Sequence, residues 1–364
     1  MRAVICSELN TPVAVEDVRL PPLGATDVRV EIGASGVCHS DLSLIRGWTP
    51  YQMPVVLGHE GAGTVVEIGK SVTRCKVGDR VIAAWASACG ACWHCIRREG
   101  QHCENIPSVF SSHGVIRADG SRVSIMGGLG TFSEQMQVSE LSVVPVHTSL
   151  PDEQLAMIGC GVTTGAGAAL WTAKVPPGST VAVFGLGGVG LSTLQGARIA
   201  GASRIIGIDP VAIKRAMALE LGATEVMDPT AGNIVDMVLA ATGGRGADFA
   251  FEVVGHQVVA RQCYDVVRKL GTVVVVGMPH PEAVLSIPLT SVFATEKRII
   301  GSKYGSAQIR EHFPMLVEMA ERGSLKLAQM ISRRIRLEDV NDAFHAMENG
   351  DVVRSVIVPQ AKAA

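Results

Sequence analysis

The sequence predicts an α/β protein of two domains, in which a doubly wound parallel sheet interrupts a β-rich unit built from both chain ends. Three observations carry this. From Thr180 onward, apolar strands alternate with helical patterns, as in a parallel sheet covered on both faces. Before Asp152, helical periodicity is scarce, and short β-branched runs are separated by Gly, Pro and Asp. After about residue 304 the earlier style returns and closes on a last strand. A length of 364 residues suits two domains at roughly 150 residues each. The expected division is 1–161 with 304–364 for the β-rich unit, and 162–303 for the inserted sheet.

In the first part, Arg2–Cys6, Val13–Asp17, Val28–Ser35, Val55–Leu57, Gly63–Ile68 and Arg80–Ala84 read as strands. Thr180–Phe184 (TVAVF) is almost wholly apolar, which suits a strand buried on both faces. A glycine-rich turn and a helix, Val189–Ala200, follow it. Strand Arg204–Ile208 leads to helix Val211–Leu221, and strand Glu225–Met227 to helix Ile234–Ala241. Asp248–Val253, Thr272–Val276 and Lys297–Ile300 complete six strands. Arg310–Arg322 and Leu337–Met347 read as amphipathic helices and Ser355–Val358 as a strand.

Composition narrows the function. Apolar residues at 47% and charged residues at 18% support a large core. A net charge of −2 and only 4% aromatics argue against nucleic acid or an anionic membrane as partner. Forty glycines exceed the ~7% average and point to tight turns and close backbone approaches. No signal peptide is expected at Met1–Asn10, and no stretch approaches 18–20 continuous apolar residues. Nine cysteines, with four crowded into Cys89–Cys103, suit metal thiolates in a reduced cytoplasm better than disulfides.

Gly185-Leu186-Gly187-Gly188-Val189-Gly190 matches G-x-G-x-x-G between a strand and a helix. Gly185 permits the tight turn, Gly187 lets backbone approach a diphosphate, and Gly190 allows close helix–strand packing. Gly188 and the other N–H groups of the helix start favour the anion. Asp209 ends the next strand, 19 residues after Gly190. An acid there accepts bonds from ribose hydroxyls and repels a 2′-phosphate. The expected cofactor is therefore NAD rather than NADP.

Cys89, Cys92, Cys95 and Cys103 form C-x2-C-x2-C-x7-C, which suits a closed structural zinc site, with an iron–sulfur cluster as the rival. Cys38-His39-Ser40-Asp41 places a thiol, an imidazole, a hydroxyl and an acid in four positions. Gly58-His59-Glu60-Gly61 places an imidazole and a carboxylate on a glycine-flanked turn, and Cys160 lies in a GCG turn.

With GVCHSD, GHEGAG, the four-cysteine lobe, GCGVTTG, GLGGVG and the terminal RSVIV in this order, the chain resembles the zinc-containing medium-chain alcohol dehydrogenases over nearly its whole length. The resemblance implies a GroES-like catalytic domain with an inserted Rossmann domain, and two zinc ions per chain. Cys38, His59 and Cys160 would hold a catalytic zinc with one open position, and Glu60 would bind it transiently. Asp41 would orient His59. Ser40 would bond the alcohol, with Ser43 standing where many relatives carry a relay histidine. The implied reaction is reversible oxidation of a primary alcohol to an aldehyde, through a zinc-bound alkoxide and hydride transfer to NAD.

The same resemblance places His39 and Arg354 at the pyrophosphate, Lys214 at the adenosine ribose, and Thr164 and Val189 at the nicotinamide. Relatives often carry Arg where His39 stands, so the single donor of His39 implies a weaker contact. Trp48, Trp85, Phe132, Met278 and Tyr304 would line the substrate cleft and favour an aromatic or bulky apolar alcohol. Glu104–Met126 resembles the longer, mostly dimeric branch, and Leu285–Ile300 its dimerising sheet edge, which implies a homodimer. Two other readings compete. One is a thiol-adduct formaldehyde dehydrogenase, with Arg97, Arg98, Arg117 and Arg122 near the cleft mouth. The other is a non-catalytic dinucleotide-binding protein, which an intact set of seven zinc-ligand positions disfavours. Cys6, Cys75 and Cys263 match no ligand position and read as free thiols.

Overall fold

A computed structural model describes residues 1–106 and 114–360. The part of Glu104–Met126 at 107–113 lies outside them. The chain forms two compact units: Met1–Gly161 with Gln308–Gly323 and Leu327–Ala364, and Val162–Ala307 with Ser324–Lys326. The second unit thus keeps Tyr304–Ala307, beyond the expected limit at 303. The reason is close packing: a Cβ on Gly305 would lie 2.3 Å from the Thr163 carbonyl oxygen and 2.8 Å from Gly167 Cα.

In the first unit, Arg2–Cys6, Ala14–Arg19, Val115–Arg117, Arg122–Ile125 and Val55–Val56 close a small barrel. The next sheet runs Val143–Pro145, Arg80–Ala83, Gly61–Ile68, Asp27–Gly36, Arg354–Ile357, Ile331–Ile335, with Gln135–Ser139 also paired to Asp27–Gly36. Strict alternation drives that long strand: Val28, Val30, Ile32 and Ala34 are wholly buried, while Glu31 faces outward. The first three pack on Val65, Val81, Leu129 and Met136. The terminal strand joins in register, Val356 opposite Gly36 and Ile357 opposite Ser35. The hairpin Val115–Ile125 was not expected from its short strands, although its Asp119–Gly120 turn was a signal for it.

The second unit is a six-stranded, all-parallel sheet in the order Glu225–Met227, Arg204–Ile208, Thr180–Phe184, Ala247–Glu252, Val267–Val275, Arg298–Gly301. The order reverses between Thr180–Phe184 and Ala247–Glu252, where doubly wound sheets bind ligands at their strand ends. Phe184, Ile206, Ile208 and Ala250 form one core with Tyr264 and Val266. The last two lie on a helix, Gln257–Val266, absent from the expected elements. Its apolar residues Val259, Cys263 and Val266 recur at helical spacing, so the signal was present in the sequence.

Asp152–Thr172 is one helical run of 21 residues, long and apolar enough by composition to cross a membrane. No continuous apolar stretch had suggested this, because glycines and threonines interrupt the run and only its mean hydropathy is high. Its most apolar window is 78% buried inside the protein, as in a core helix.

Candidate metal centres and dinucleotide turn

Cys38 follows the end of strand Asp27–Gly36 and caps the helix His39–Ile45. Asp41, fully buried, is the tie for this region. Its Oδ2 accepts from Cys38 N at 2.9 Å, and its Oδ1 accepts from Gly58 N at 3.2 Å. The same Oδ1 lies 3.4 Å from His59 Nδ1. One carboxylate therefore fastens the turns that carry two candidate ligands. Gly58 has φ +91°, and a Cβ there would lie 2.5 Å from Phe132 N, so the turn requires glycine. Cys160 arrives from the long helical run, which widens to i→i+5 bonding over Ile158–Val162.

These elements bring Cys38, His59, Glu60 and Cys160 together. Their ligand atoms lie within 4.8 Å of one another, and all four residues are buried. His59 Nδ1 has only the long 3.4 Å approach of Asp41, and neither ring nitrogen makes a well-formed hydrogen bond among the described residues. A buried imidazole left in that state beside two thiols fits a metal ligand, and two sulfurs with one nitrogen suit zinc. The Cys38 thiol is held well below its ordinary value by a bond from Cys160, whose own thiol is pushed up. Burial works against a charged His59, but Cys160 and Asp41 outweigh it and hold the imidazole well above its ordinary value. Ser40 Oγ lies 3.7 Å from Cys38 Sγ.

Glu60, gathered with the three candidate ligands as expected, is also paired with Arg354, a contact the sequence did not suggest. Arg354 Nη2 donates to Glu60 Oε2, and Nη1 donates to Val37 O at 3.1 Å. Glu60 Oε1 also accepts from Gly161 N at 3.2 Å. Burial pushes the Glu60 carboxyl up to about 7, with the Arg354 charge opposing. Arg354, expected at a pyrophosphate, is a buried counter-ion to Glu60 here. The reason is electrostatic: a fully buried carboxylate beside two thiols requires a paired cation. Ser43, which cannot carry a proton as a histidine there would, turns its buried hydroxyl back to donate to His39 O at 3.1 Å. His39 itself is exposed.

Cys89, Cys92, Cys95 and Cys103 also gather their sulfurs within 4.8 Å. The lobe aims donors at Cys89 Sγ: Cys92 N at 3.3 Å, Ala91 N at 3.4 Å and Asn105 Nδ2 at 3.3 Å. Those backbone N–H groups lower the Cys89 thiol to about 6. Four thiols with N–H···S bonds fit a closed zinc site. Cys6, Cys75 and Cys263 join neither group and form no disulfide.

In the second unit, Gly185 has φ +93° and starts the turn. A Cβ on Gly190 would lie 1.8 Å from Gly185 O, whereas one on Gly187 would meet nothing within 4 Å. That open space, above the helix start at Gly188, fits an approaching diphosphate. Asp209 is buried; its Oδ2 accepts from Leu186 N and its Oδ1 from Val211 N, both at 2.8 Å. The acid thus braces the glycine turn, a role not foreseen. Lys214, Thr164 and Val189 are half-buried. Arg215, not singled out from the sequence, donates to Asp209 O at 2.7 Å and pairs with Asp228 at 3.0 Å.

The expected pocket residues divide. Trp85 is half-buried beside His59: a Cβ on Gly127 would lie 3.2 Å from Trp85 Cβ and 3.4 Å from His59 Cβ. Tyr51 Oη accepts from Gly127 N at 3.0 Å and steadies that turn, which sequence reasoning missed. Phe132, expected in the cleft, is wholly buried and packs in a core with Leu42, Leu57 and Phe344. Its N–H pairs with Leu57 O, and that register turns the ring inward. Tyr304 is buried at 2% exposure, whereas Trp48 and Met278 are exposed.

Comparison with known proteins agrees with this architecture. Residues 24–148 match the alcohol dehydrogenase GroES-like domain, and residues 188–322 match the zinc-binding dehydrogenase family. An S-(hydroxymethyl)glutathione dehydrogenase of Synechocystis sp. is 37% identical, over 98% of this chain and 99% of its own. A geraniol dehydrogenase of Castellaniella defragrans is 36% identical over 98% and 97%. An NDMA-dependent alcohol dehydrogenase of Amycolatopsis methanolica is 35% identical over 99% of both. Among solved structures, an alcohol dehydrogenase zinc-binding domain protein from Burkholderia ambifaria superposes with a TM-score of 0.94 at 30% identity, covering 99% of each chain. Benzyl alcohol dehydrogenase from Acinetobacter calcoaceticus gives 0.89, also at 30% identity, covering 98% and 99%. Fold and site define a zinc-binding oxidoreductase. The chain belongs to the zinc-containing medium-chain alcohol dehydrogenase family.

Proposed function

We propose that this chain is an NAD-dependent alcohol dehydrogenase that reversibly oxidises primary alcohols, aromatic or bulky and apolar, to aldehydes. The observation that carries the reading is the buried Cys38–His59–Cys160 cluster with a serine hydroxyl, Ser40, beside it. Zinc held there supplies Lewis acidity to an alcohol or carbonyl oxygen, and nicotinamide supplies the hydride acceptor. Asp41 orients His59, and Ser40 Oγ takes the hydroxyl proton as the alcohol ionises while releasing its own proton outward, away from the metal. Trp85 gives the site a flat apolar wall, which favours a benzylic or similarly bulky substrate. Gly187 leaves room for the diphosphate, and the buried acid Asp209 disfavours a 2′-phosphate.

The thiol-adduct reading is supported by the 37% identity to an S-(hydroxymethyl)glutathione dehydrogenase, but three of its four arginines are engaged elsewhere. Arg117 pairs with Glu16 at 2.7 Å, Arg98 pairs with Glu311, and Arg97 lies 3.9 Å over the Trp93 ring. Of the four arginines considered for a thiol head group, Arg122 alone has no such engagement among the described residues.

A panel of benzylic, terpenoid, aliphatic and secondary alcohols, run with NAD, NADP or NDMA, tests the proposal. The expected result is turnover of benzylic or terpenoid alcohols with NAD, and little with NADP. Formaldehyde turnover only when glutathione is added favours the thiol-adduct enzyme instead. Turnover with NDMA and none with added NAD replaces the cofactor assignment.

We also propose a homodimer. The edge strand Arg298–Gly301 leaves Ile299 exposed, and the preceding helix Leu289–Thr295 exposes Leu289 at 85% and Phe293 at 88%. An unpaired edge with exposed apolar side chains is suited to a second copy. Light scattering is expected to give twice the chain mass, and the chain mass for Phe293→Asp. A monomeric parent protein removes this proposal.

A further inference from the structure

A further buried carboxylate, Glu252, stands at the strand ends where the sheet order reverses. It is the last residue of Ala247–Glu252 and is 1% exposed. Its Oε1 accepts from Val254 N at 2.9 Å, Gly255 N at 2.8 Å and His256 N at 3.4 Å. Its carbonyl accepts from Val276 N and Gly277 N, both at 2.9 Å. Its backbone therefore joins the ends of two strands, and its side chain fastens the turn that follows it.

The turn it holds faces the fingerprint. Val253 N donates to Phe184 O at 3.0 Å, and a Cβ on Gly185 would lie 2.8 Å from Val254 Cγ2. Packing behind the turn is equally close, since a Cβ on Gly255 would lie 2.3 Å from Met278 O. Asp209 fastens one side of the glycine turn through Leu186 N, and Glu252 fastens the segment against the other side. The free side chains of Val254 and Met278, 53% and 46% exposed, stand next to it as apolar surface.

We propose that Glu252 is a positioning residue for the dinucleotide, holding Val253–His256 as the wall that faces the Gly185 turn; this rests on the dinucleotide reading above. It touches no reacting atom, so its effect falls on cofactor affinity and not on hydride transfer. Three N–H groups converge on one oxygen. Glutamine retains that oxygen, aspartate withdraws it by one methylene, and alanine removes it.

NADH affinity, measured by fluorescence titration of the zinc-loaded protein, separates these cases. Glu252→Ala is expected to bind NADH about tenfold more weakly, the scale of losing one or two buried hydrogen bonds. Its kcat at saturating NAD and its alcohol KM should stay within about threefold of the parent. Glu252→Gln should restore affinity, and hydrogen exchange at 254–256 should quicken in the alanine variant only. Glu252→Asp carries the same expectation where the alanine variant does not fold. Unchanged NADH affinity in the alanine or aspartate variant overturns the Glu252 role alone. Equal losses in the glutamine and alanine variants also overturn it. A parent protein that binds neither NADH nor NADPH overturns the dinucleotide reading, and this role with it.

Discussion

Cys160→Ser is expected to reduce alcohol turnover below ~1% of the parent while the protein stays folded. Loss of a residue that merely orients a ligand costs about 10- to 100-fold, and loss of a ligand exceeds that. The fold should persist because Cys160 lies within a long buried helix whose packing does not depend on its sulfur. Cys103→Ser should act the other way. In the lobe, binding free energy is folding free energy, so melting temperature and soluble yield should fall first. Zinc analysis should find each variant short of one ion per chain. Turnover by Cys160→Ser at the parent rate would remove the catalytic assignment of the Cys38 cluster.

Ser40→Ala is expected to slow turnover by roughly 10²- to 10⁴-fold, the usual worth of a positioned proton-transfer group. The alcohol must lose its hydroxyl proton before hydride leaves, and Ser40 Oγ is the hydroxyl placed beside Cys38. Ser43→Ala should do little, because the Ser43 hydroxyl is turned onto the His39 carbonyl. Ser43→His should not accelerate the reaction either, since position 43 is buried. The outer path for the proton must therefore avoid residue 43. Rapid-mixing measurement of NADH formation between pH 6 and 9 isolates the chemical step from product release. An unchanged hydride-transfer rate in Ser40→Ala would end the case for this proton route.

Much of this architecture was legible because its signals are local. Thr180–Phe184, Arg204–Ile208 and Glu225–Met227 form where apolar runs predict them. The four-cysteine lobe closes within one short segment, so spacing alone revealed it. The Cys38 cluster was legible only as a pattern shared with a family, because topology and not spacing brings residues 38, 59 and 160 together. Partner choice was less legible. Arg354 was expected at a phosphate, yet a buried glutamate claims it, and no periodicity encodes that demand. Phe132 was expected at a cleft, yet backbone register turns it into the core. Glu252 gave no motif at all, since its meaning lies in three N–H groups that follow it on a turn.

The strand Arg354–Ile357 has a consequence for how the enzyme is made. Arg354 pairs with Glu60 across 294 residues, and its strand completes the sheet begun by Asp27–Gly36. At ~5–20 residues per second, a nascent chain carries Glu60 for roughly 15 to 60 s before its guanidinium is synthesised. During that interval the cradle of the Cys38 cluster has neither its last strand nor its counter-ion. The cradle of the Cys38 cluster is therefore completed only after the chain leaves the ribosome, by a residue ten positions from the end of the sequence given.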